Sequence, residues 1–376
     1  MKQLNNPFVV YGYKGARYFC DRVKETEIIV RGLSNERNIT LMSPRRIGKT
    51  GLIHHVFDHI RSTHPDIPCI YVDLLATKNL DQFVALLAQN ILGQLDTTSQ
   101  SVLHHITEIF TSLRPTLSFD SITGVPLFSV DIAPGTGEQS LKQIFEYLQK
   151  SGKRCYIAFD EFQQITEYPE KGTEALLRSF IQFLPQVYFI FAGSQQHLMA
   201  DMFLSAKRPF YQSSQLVELK EIDASVYRDF ANSFFSEKGV ELSAETFGYL
   251  YDKVDGQTWY IQAILNRVYT NLRKEISKEA IDDAIRELVE EQTTAFENYY
   301  ASLTTNQAAL LVSIAKERCV KSPMAHTFIR QYRLPAVSSI KMALKVLLYR
   351  QFIYQGSCGY VVYDRFFAMW LRQKTI

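Results

Sequence analysis

Three short stretches of this 376-residue chain hold side chains suited to chemistry on phosphate. The first is Leu41-Met42-Ser43-Pro44-Arg45-Arg46-Ile47-Gly48-Lys49-Thr50-Gly51. It lies between a short apolar run, Ile39 to Met42, and a helical pattern of Leu52, Ile53, Val56, Phe57 and Ile60. A strand, a loop ending Gly-Lys-Thr and a helix aim backbone N–H groups and the positive end of the helix at phosphate oxygens. Lys49 would reach the β- and γ-phosphates, and the Thr50 hydroxyl would ligand Mg²⁺. Ser43 stands where the pattern G-x-x-x-x-G-K-[ST] asks for glycine, but only the first turn of the loop depends on that position. Arg45 and Arg46 add positive charge that could meet phosphate, or, for Arg46, a lid.

The second stretch is Arg154-Cys155-Tyr156-Ile157-Ala158-Phe159-Asp160-Glu161. It reads as a buried strand with two acids at its carboxyl end, the usual side of an open α/β sheet for a ligand. Asp160 would hold Mg²⁺, directly or through water, and Glu161 would orient or deprotonate an attacking water. Alone this pattern is common; about 110 residues after a Gly-Lys-Thr loop it gains weight. The third stretch, Gln186 to Ser194, is a further apolar strand expected between the loop strand and the Asp-Glu strand. Ser194 at its end would sense the γ-phosphate or cap the next helix.

These groups need a scaffold, and the apolar pattern supplies one. Pro68 to Leu74 and Gln215 to Leu219 read as further strands, with helices over about 80–95, 101–113, 139–150 and 172–183. Alternation in 116–120 and 126–131 around Ser121 to Val125 predicts a β-hairpin insertion at about 115–132. Pro134-Gly135-Thr136-Gly137 is not a second phosphate loop, since no Lys-Ser/Thr follows. Ahead of the first strand, Phe8, Val9, Val10 and Tyr11 would either line an apolar slot for a base or form an edge strand.

From Asp223 the pattern is wholly helical: 224–238, 243–254, 257–272 and 277–291, with Ser243 and Ser277 as N-caps. Arg267 in the third of these is a candidate to reach phosphate. The last 77 residues read as three helices, 304–318, 322–332 and 336–350, followed by a hairpin over 352–363. That is a winged helix-turn-helix, whose third helix carries Lys341 and Lys345 off its apolar face. This segment holds eleven basic residues against Glu317 and Asp364, while the rest of the chain has an acidic excess, so the net charge of +2 conceals two opposed parts. A basic domain on an acidic body points to duplex DNA or an acidic protein partner.

At 46% hydrophobic and 13% aromatic residues, substantial cores are expected and disorder is not. No charged-then-apolar leader and no run of 18 apolar residues occurs, so a cytoplasmic protein without membrane contact is expected. Five cysteines without C-x-x-C spacing argue against both metal sites and disulfides.

The assembled motifs resemble the archaeal ATPase family, P-loop ATPases of archaea and bacteria in the AAA+-like, signal-transducing (STAND) group. The resemblance lies in Tyr18-Phe19-Cys20-Asp21-Arg22, Ser43 to Thr50, Phe159-Asp160-Glu161-Phe162-Gln163 and Ala192-Gly193-Ser194. It continues in Arg208-Pro209-Phe210-Tyr211 and the ending Tyr363-Asp364-Arg365-Phe366-Phe367-Ala368-Met369-Trp370-Leu371. It implies an α/β P-loop NTPase with a parallel five-stranded sheet in AAA+-like order, a helical lid and a C-terminal winged helix. The expected domains are 1–221, 222–299 and 300–376. The same resemblance implies ATP or ADP with Mg²⁺, bound at Gly48, Lys49, Thr50 and Gly51 and served by Asp160 and Glu161. It also implies a γ-phosphate contact near Ser194 and an arginine that meets phosphate at Arg208. Self-association is compatible with such a family.

Overall fold

The computed structural model describes residues 4–95, 113–119, 126–272, 274–356 and 358–374. Two compact units emerge, one from Tyr11 to Asp223 and one combining the residues up to Val10 with those from Ala224 onward.

In the first unit five parallel strands form one sheet in the order β2-β5-β6-β1-β7. They are β1 (Ile39–Met42), β2 (Cys69–Asp73), β5 (Cys155–Asp160), β6 (Val187–Gly193) and β7 (Gln215–Glu218). As the sequence pattern predicts, β6 lies between the loop strand β1 and the acid-bearing β5. The central strands are near-continuous apolar runs because both sheet faces are covered. Their side chains alternate between two cores: Tyr156, Ala158, Tyr188 and Ile190 face one, and Ile157, Phe159, Phe189 and Phe191 face the other. The first core is closed by α1 (Val23–Ser34) and α2 (Lys49–Thr63). The second is closed by α3 (Leu80–Leu95), α4 (Gly137–Ser151), α5 (Thr173–Ile181) and α6 (Gln196–Leu204). Burial of this much aromatic and aliphatic surface fixes the strand ends, and the strand ends carry the chemistry.

A separate antiparallel pair, β3 (Leu113–Phe119) and β4 (Pro126–Ile132), forms the expected hairpin insertion. Its turn at 121–125 and the helix expected over 101–113 lie outside the described residues, apart from Leu113 itself, which begins β3.

The second unit contains α7 (Ala224–Ser236), α8 (Ala244–Lys253), α9 (Thr258–Thr270), α10 (Lys278–Glu290) and α11 (Thr293–Ala301). Ser243 and Ser277 cap their helices, each accepting a backbone N–H three residues on. The same unit continues as α12 (Thr305–Glu317), α13 (His326–Gln331), α14 (Val337–Tyr349), the hairpin β8 (Ile353–Gly356) and β9 (Gly359–Val362), and α15 (Arg365–Arg372). Two features depart from expectation. Residues 8–11 form no strand, and Phe8 is buried against Phe234, Phe235 and Tyr269 within the second unit. The terminal motif is a helix of its own, capped by Asp364, which accepts from the N–H groups of Phe366 and Phe367. Among the described residues no helix is long and apolar enough to cross a membrane.

Candidate nucleotide site

The loop from Ser43 to Gly48 joins the end of β1 to the start of α2, so its N–H groups continue the N-terminal end of that helix. Gly48 has φ +105°, a left-handed conformation that a side chain would strain. Arg46 also lies in left-handed space, at φ 68°. Ser43 is fully buried and its hydroxyl donates to the Pro44 carbonyl, so the missing first glycine is replaced by a local hydrogen bond. Beneath the loop, Arg22 pairs with Glu25 and donates to the carbonyl of Ile47 at 3.3 Å. The motif residue Arg22 therefore props the loop from behind.

Lys49 turns back over this loop. Its ammonium donates to Ser43 O and Pro44 O, each at 3.0 Å, and to Ser43 Oγ at 3.3 Å. Those oxygens stand in for the phosphate oxygens a loop lysine would otherwise hold. Burial pushes the Lys49 pKa down to about 8; Glu161 and Asp160 act to raise it, and Arg45 to lower it further.

Across the sheet, Asp160 at the end of β5 collects three donors. Thr50 Oγ1 donates to Oδ2 at 2.6 Å, Tyr71 OH donates to the same oxygen at 2.9 Å, and the Glu161 N–H donates to Oδ1 at 3.0 Å. Thr50 and Asp160, expected to share a metal, thus converge from two elements 110 residues apart. The donors are hard oxygens, and among the described residues no group of three His, Cys, Asp or Glu gathers around them. Such a donor-poor oxygen pair suits Mg²⁺, which keeps waters and phosphate oxygens in its shell.

Glu161 sits in left-handed backbone at φ 52°, a strained conformation of the kind concentrated at functional sites. Its Oε2 accepts from Ser194 Oγ at 2.6 Å and from the Gln163 side-chain amide. Arg45 Nε in turn donates to Ser194 Oγ at 3.3 Å. A continuous chain of polar contacts therefore runs Arg45, Ser194, Glu161, Gln163. Ser194 is not the cap of α6: Gln195 occupies that position without a side-chain bond, and the serine hydroxyl turns to Glu161.

Three other expected residues, Arg208, Tyr11 and Arg267, take no part in this chain of contacts. The guanidinium of Arg208 pairs with Glu174 on α5 and, at 3.4 Å, with Asp201 on α6. Tyr11 is 79% exposed. Arg267, expected to reach phosphate, pairs with Glu287 and Glu291 on α10 within the second unit.

Two site residues escaped the sequence reading. Tyr71 lies on β2, the strand paired directly with β5, and burial, then the Asp160 charge, pushes its phenol pKa up. Asp73 ends β2 directly beside Asp160. Its carboxyl pKa is raised chiefly by burial, with the Leu75 N–H opposing and the charges of Asp160 and Glu161 adding to the rise. The one sequence signal was that β2, like β5, ends in an aspartate.

The sheet order, the Gly-Lys-Thr loop and the paired acids define a P-loop ATPase fold joined to a winged helix. The chain belongs to the family of ATPase domains found predominantly in Archaea, whose family model matches residues 19–264. A winged helix domain model matches residues 294–373. An ATP-binding protein of Methanocaldococcus jannaschii is 22% identical over 359 residues, covering 89% of this chain and 92% of that protein. A second from the same organism is 23% identical, covering 76% and 77%. Among solved structures, a Walker-type ATPase of Pyrococcus abyssi has a TM-score of 0.66 at 17% identity, with 97% of this chain and 99% of that one covered. The ORC1 protein of Aeropyrum pernix, solved in complex with DNA, has a TM-score of 0.56 at 12% identity, with 98% and 96% covered. At these identities the structural likeness establishes the fold.

Proposed function

We propose that this protein is a Mg²⁺-dependent ATPase in which bound nucleotide acts as a conformational switch for the basic winged helix. The observation that carries the reading is the linked set of contacts from the loop to the acids, Lys49 to the loop carbonyls, Thr50 to Asp160, and Arg45 through Ser194 to Glu161. Mg²⁺, held by Thr50 and Asp160, would supply charge neutralisation on the phosphates. Lys49 exchanges the Ser43 and Pro44 oxygens for phosphate oxygens, which frees the loop to adopt its nucleotide-bound form. Glu161 Oε2 accepts a proton from, or orients, the attacking water. Arg45 donates to the Ser194 hydroxyl, which in turn donates to Glu161, so a γ-phosphate that draws Arg45 away would alter the hold on Glu161. In this reading Ser194 is the sensing residue. Arg208, held by two acids, is available for phosphate only if that pairing opens. Movement of the helical segment from Ala224 onward then passes to the winged helix.

ATP turnover by Lys49→Ala and Glu161→Gln tests the assignment. Both are expected to lose at least about a hundredfold, the scale of a lost general base or phosphate contact. If both hydrolyse ATP at the native rate, the site is misassigned.

A second reading, binding to duplex DNA, is favoured by one feature of α14. Lys341 and Lys345 are exposed on it, while Ile340, Ala343, Leu344 and Leu347 bury its other face. The relative solved with DNA carries a comparable fold. Salt-dependent DNA binding whose log–log slope falls by about 2 on Lys341→Glu/Lys345→Glu would support it. No DNA binding, together with nucleotide-dependent self-association, would assign the basic domain to a protein partner instead.

A further inference from the structure

We infer that Cys319 and Cys358 form a thiol–disulfide redox site that pins the wing to the end of α12, with Cys358 as the sulfur that small thiols attack. The absence of C-x-x-C spacing argued against any disulfide, and the structure corrects this: the two cysteines are bonded, 39 residues apart in sequence and 6.2 Å between Cα atoms. That separation lies within the span a disulfide bridges.

The remaining cysteines behave differently. Cys20, Cys69 and Cys155 are buried, and burial pushes each thiol up to about 12, which leaves them inert at neutral pH. Cys358 is exposed at the tip of the wing and Cys319 is half-buried.

The backbone holds the pair ready to close. Val320, next to Cys319, exchanges two hydrogen bonds with Tyr360, at 2.9 and 2.8 Å. Gly359, next to Cys358, passes so close that a Cβ there would lie 2.5 Å from the Val320 carbonyl oxygen. The segment enclosed by the bond includes α13, α14 and β8, the whole of the helix bearing Lys341 and Lys345. Without the disulfide, only that one short backbone bridge ties the wing to the residues after α12 among the described contacts.

The exchange chemistry follows from exposure and charge. A thiolate of a small thiol attacks Cys358 Sγ, forms a mixed disulfide there and expels Cys319 as thiolate, which takes up a proton. The exposed cations Arg318 and Lys321 flank Cys319 and favour it as the leaving group. A second thiol attacks the small-molecule sulfur of the mixed disulfide, expels Cys358 and completes a two-electron reduction that yields the small disulfide. A small-molecule disulfide such as oxidised glutathione runs the sequence backwards.

The test uses the full-length protein without nucleotide, equilibrated in either oxidised or reduced glutathione. After alkylation under native conditions and proteolysis, mass spectrometry should find a Cys319–Cys358 cross-linked peptide in the oxidised sample. In the reduced sample, label is expected at these two sulfurs and not at Cys20, Cys69 or Cys155. Cys319→Ser should take up one glutathione at Cys358, and Cys358→Ser should take it up at Cys319 at least about tenfold more slowly. Backbone hydrogen exchange over residues 353–362 should be at least about threefold faster in the reduced wild type. That comparison involves no substitution and so no risk of misfolding. Absence of the cross-link in oxidised glutathione, faster glutathionylation at Cys319 than at Cys358, or wing exchange indifferent to redox state would each overturn the inference.

Discussion

The pH dependence of ATP affinity should follow the ionisation of Lys49. The residue is 6% exposed and its pKa is pushed down to about 8 by burial. A group with that value is about three-quarters protonated at about pH 7.5 and about one-tenth protonated at about pH 9. Only the ammonium attracts phosphate oxygens as an ion. The affinity of the free protein for ATP should therefore fall about eightfold over this interval, close to 1.2 kcal/mol. Phosphate ionisation is already complete at the lower limit and contributes little to the change.

The effect on folding has the opposite sign. In the unfolded chain the lysine titrates at its ordinary value of 10.5, so between about pH 8 and 10.5 the unfolded state binds more protons than the native state. The cost of burying the charge is fully present below pH 8 and is relieved as pH rises through that window. Weakened binding at pH 9 thus cannot be attributed to loss of fold through this group. Isothermal titration of ATP with Mg²⁺ in the Glu161→Gln background, which preserves the nucleotide, measures the trend. Lys49→Arg keeps its charge throughout, so its affinity, though lower, should be flat. A flat wild-type profile, or a Lys49→Arg profile falling in parallel with the wild type, would refute the reasoning.

Tyr71→Phe removes one of the two hydroxyl donors to Asp160 Oδ2. A shift of about three- to tenfold in the Mg²⁺ concentration giving half-maximal turnover is expected, the net worth of one ordinary hydrogen bond; an unchanged Mg²⁺ titration would remove Tyr71 from the site. Arg365→Met strips donors from the Val362 carbonyl and the Tyr354 hydroxyl, and should lower stability by about 2–4 kcal/mol. The same change also breaks an ion pair with half-exposed Asp255; Asp255→Asn removes only that pairing and should cost less than Arg365→Met. Urea denaturation followed by tryptophan fluorescence compares the two, and equal effects would contradict the burial argument. Reducing Cys319–Cys358 opens a closed loop of 39 residues and should destabilise the C-terminal unit by about 4 kcal/mol on the chain-entropy estimate. Thermal unfolding with and without reductant reads that difference, and coincident curves would count against a stabilising bond.

What the sequence revealed and concealed divides by the distance over which each residue finds its partner. The loop from Ser43 to Gly51 and the acids at 160 and 161 were legible because their neighbours in sequence set their conformation. An apolar strand needs no partner to be recognised when both faces are buried, and a Gly-Lys-Thr turn carries its own backbone geometry. Tyr71 was not legible. It lies in the same kind of apolar run as Tyr156 and Tyr188, and only the register of β2 against β5 turns its hydroxyl to Asp160. Ser194 was ambiguous for a related reason, since a strand-ending serine before a helix fits a cap until Gln195 takes that place. Arg208 shows the converse. Its position in a motif suggested a phosphate contact, but two acids on α5 and α6 claim the guanidinium. Cys319 and Cys358 had neither a short spacing nor an even count to mark them, and they meet because Gly359 lets the wing backbone pass against Val320. Arg365 belongs with this group. The motif preserved its type, but its role comes from Tyr354 on β8 and from Asp255 in the turn before α9, over a hundred residues upstream. Through that one buried side chain the turn before α9 and the wing share a contact, so a shift of the turn must either move the wing or leave a buried charge without its acid.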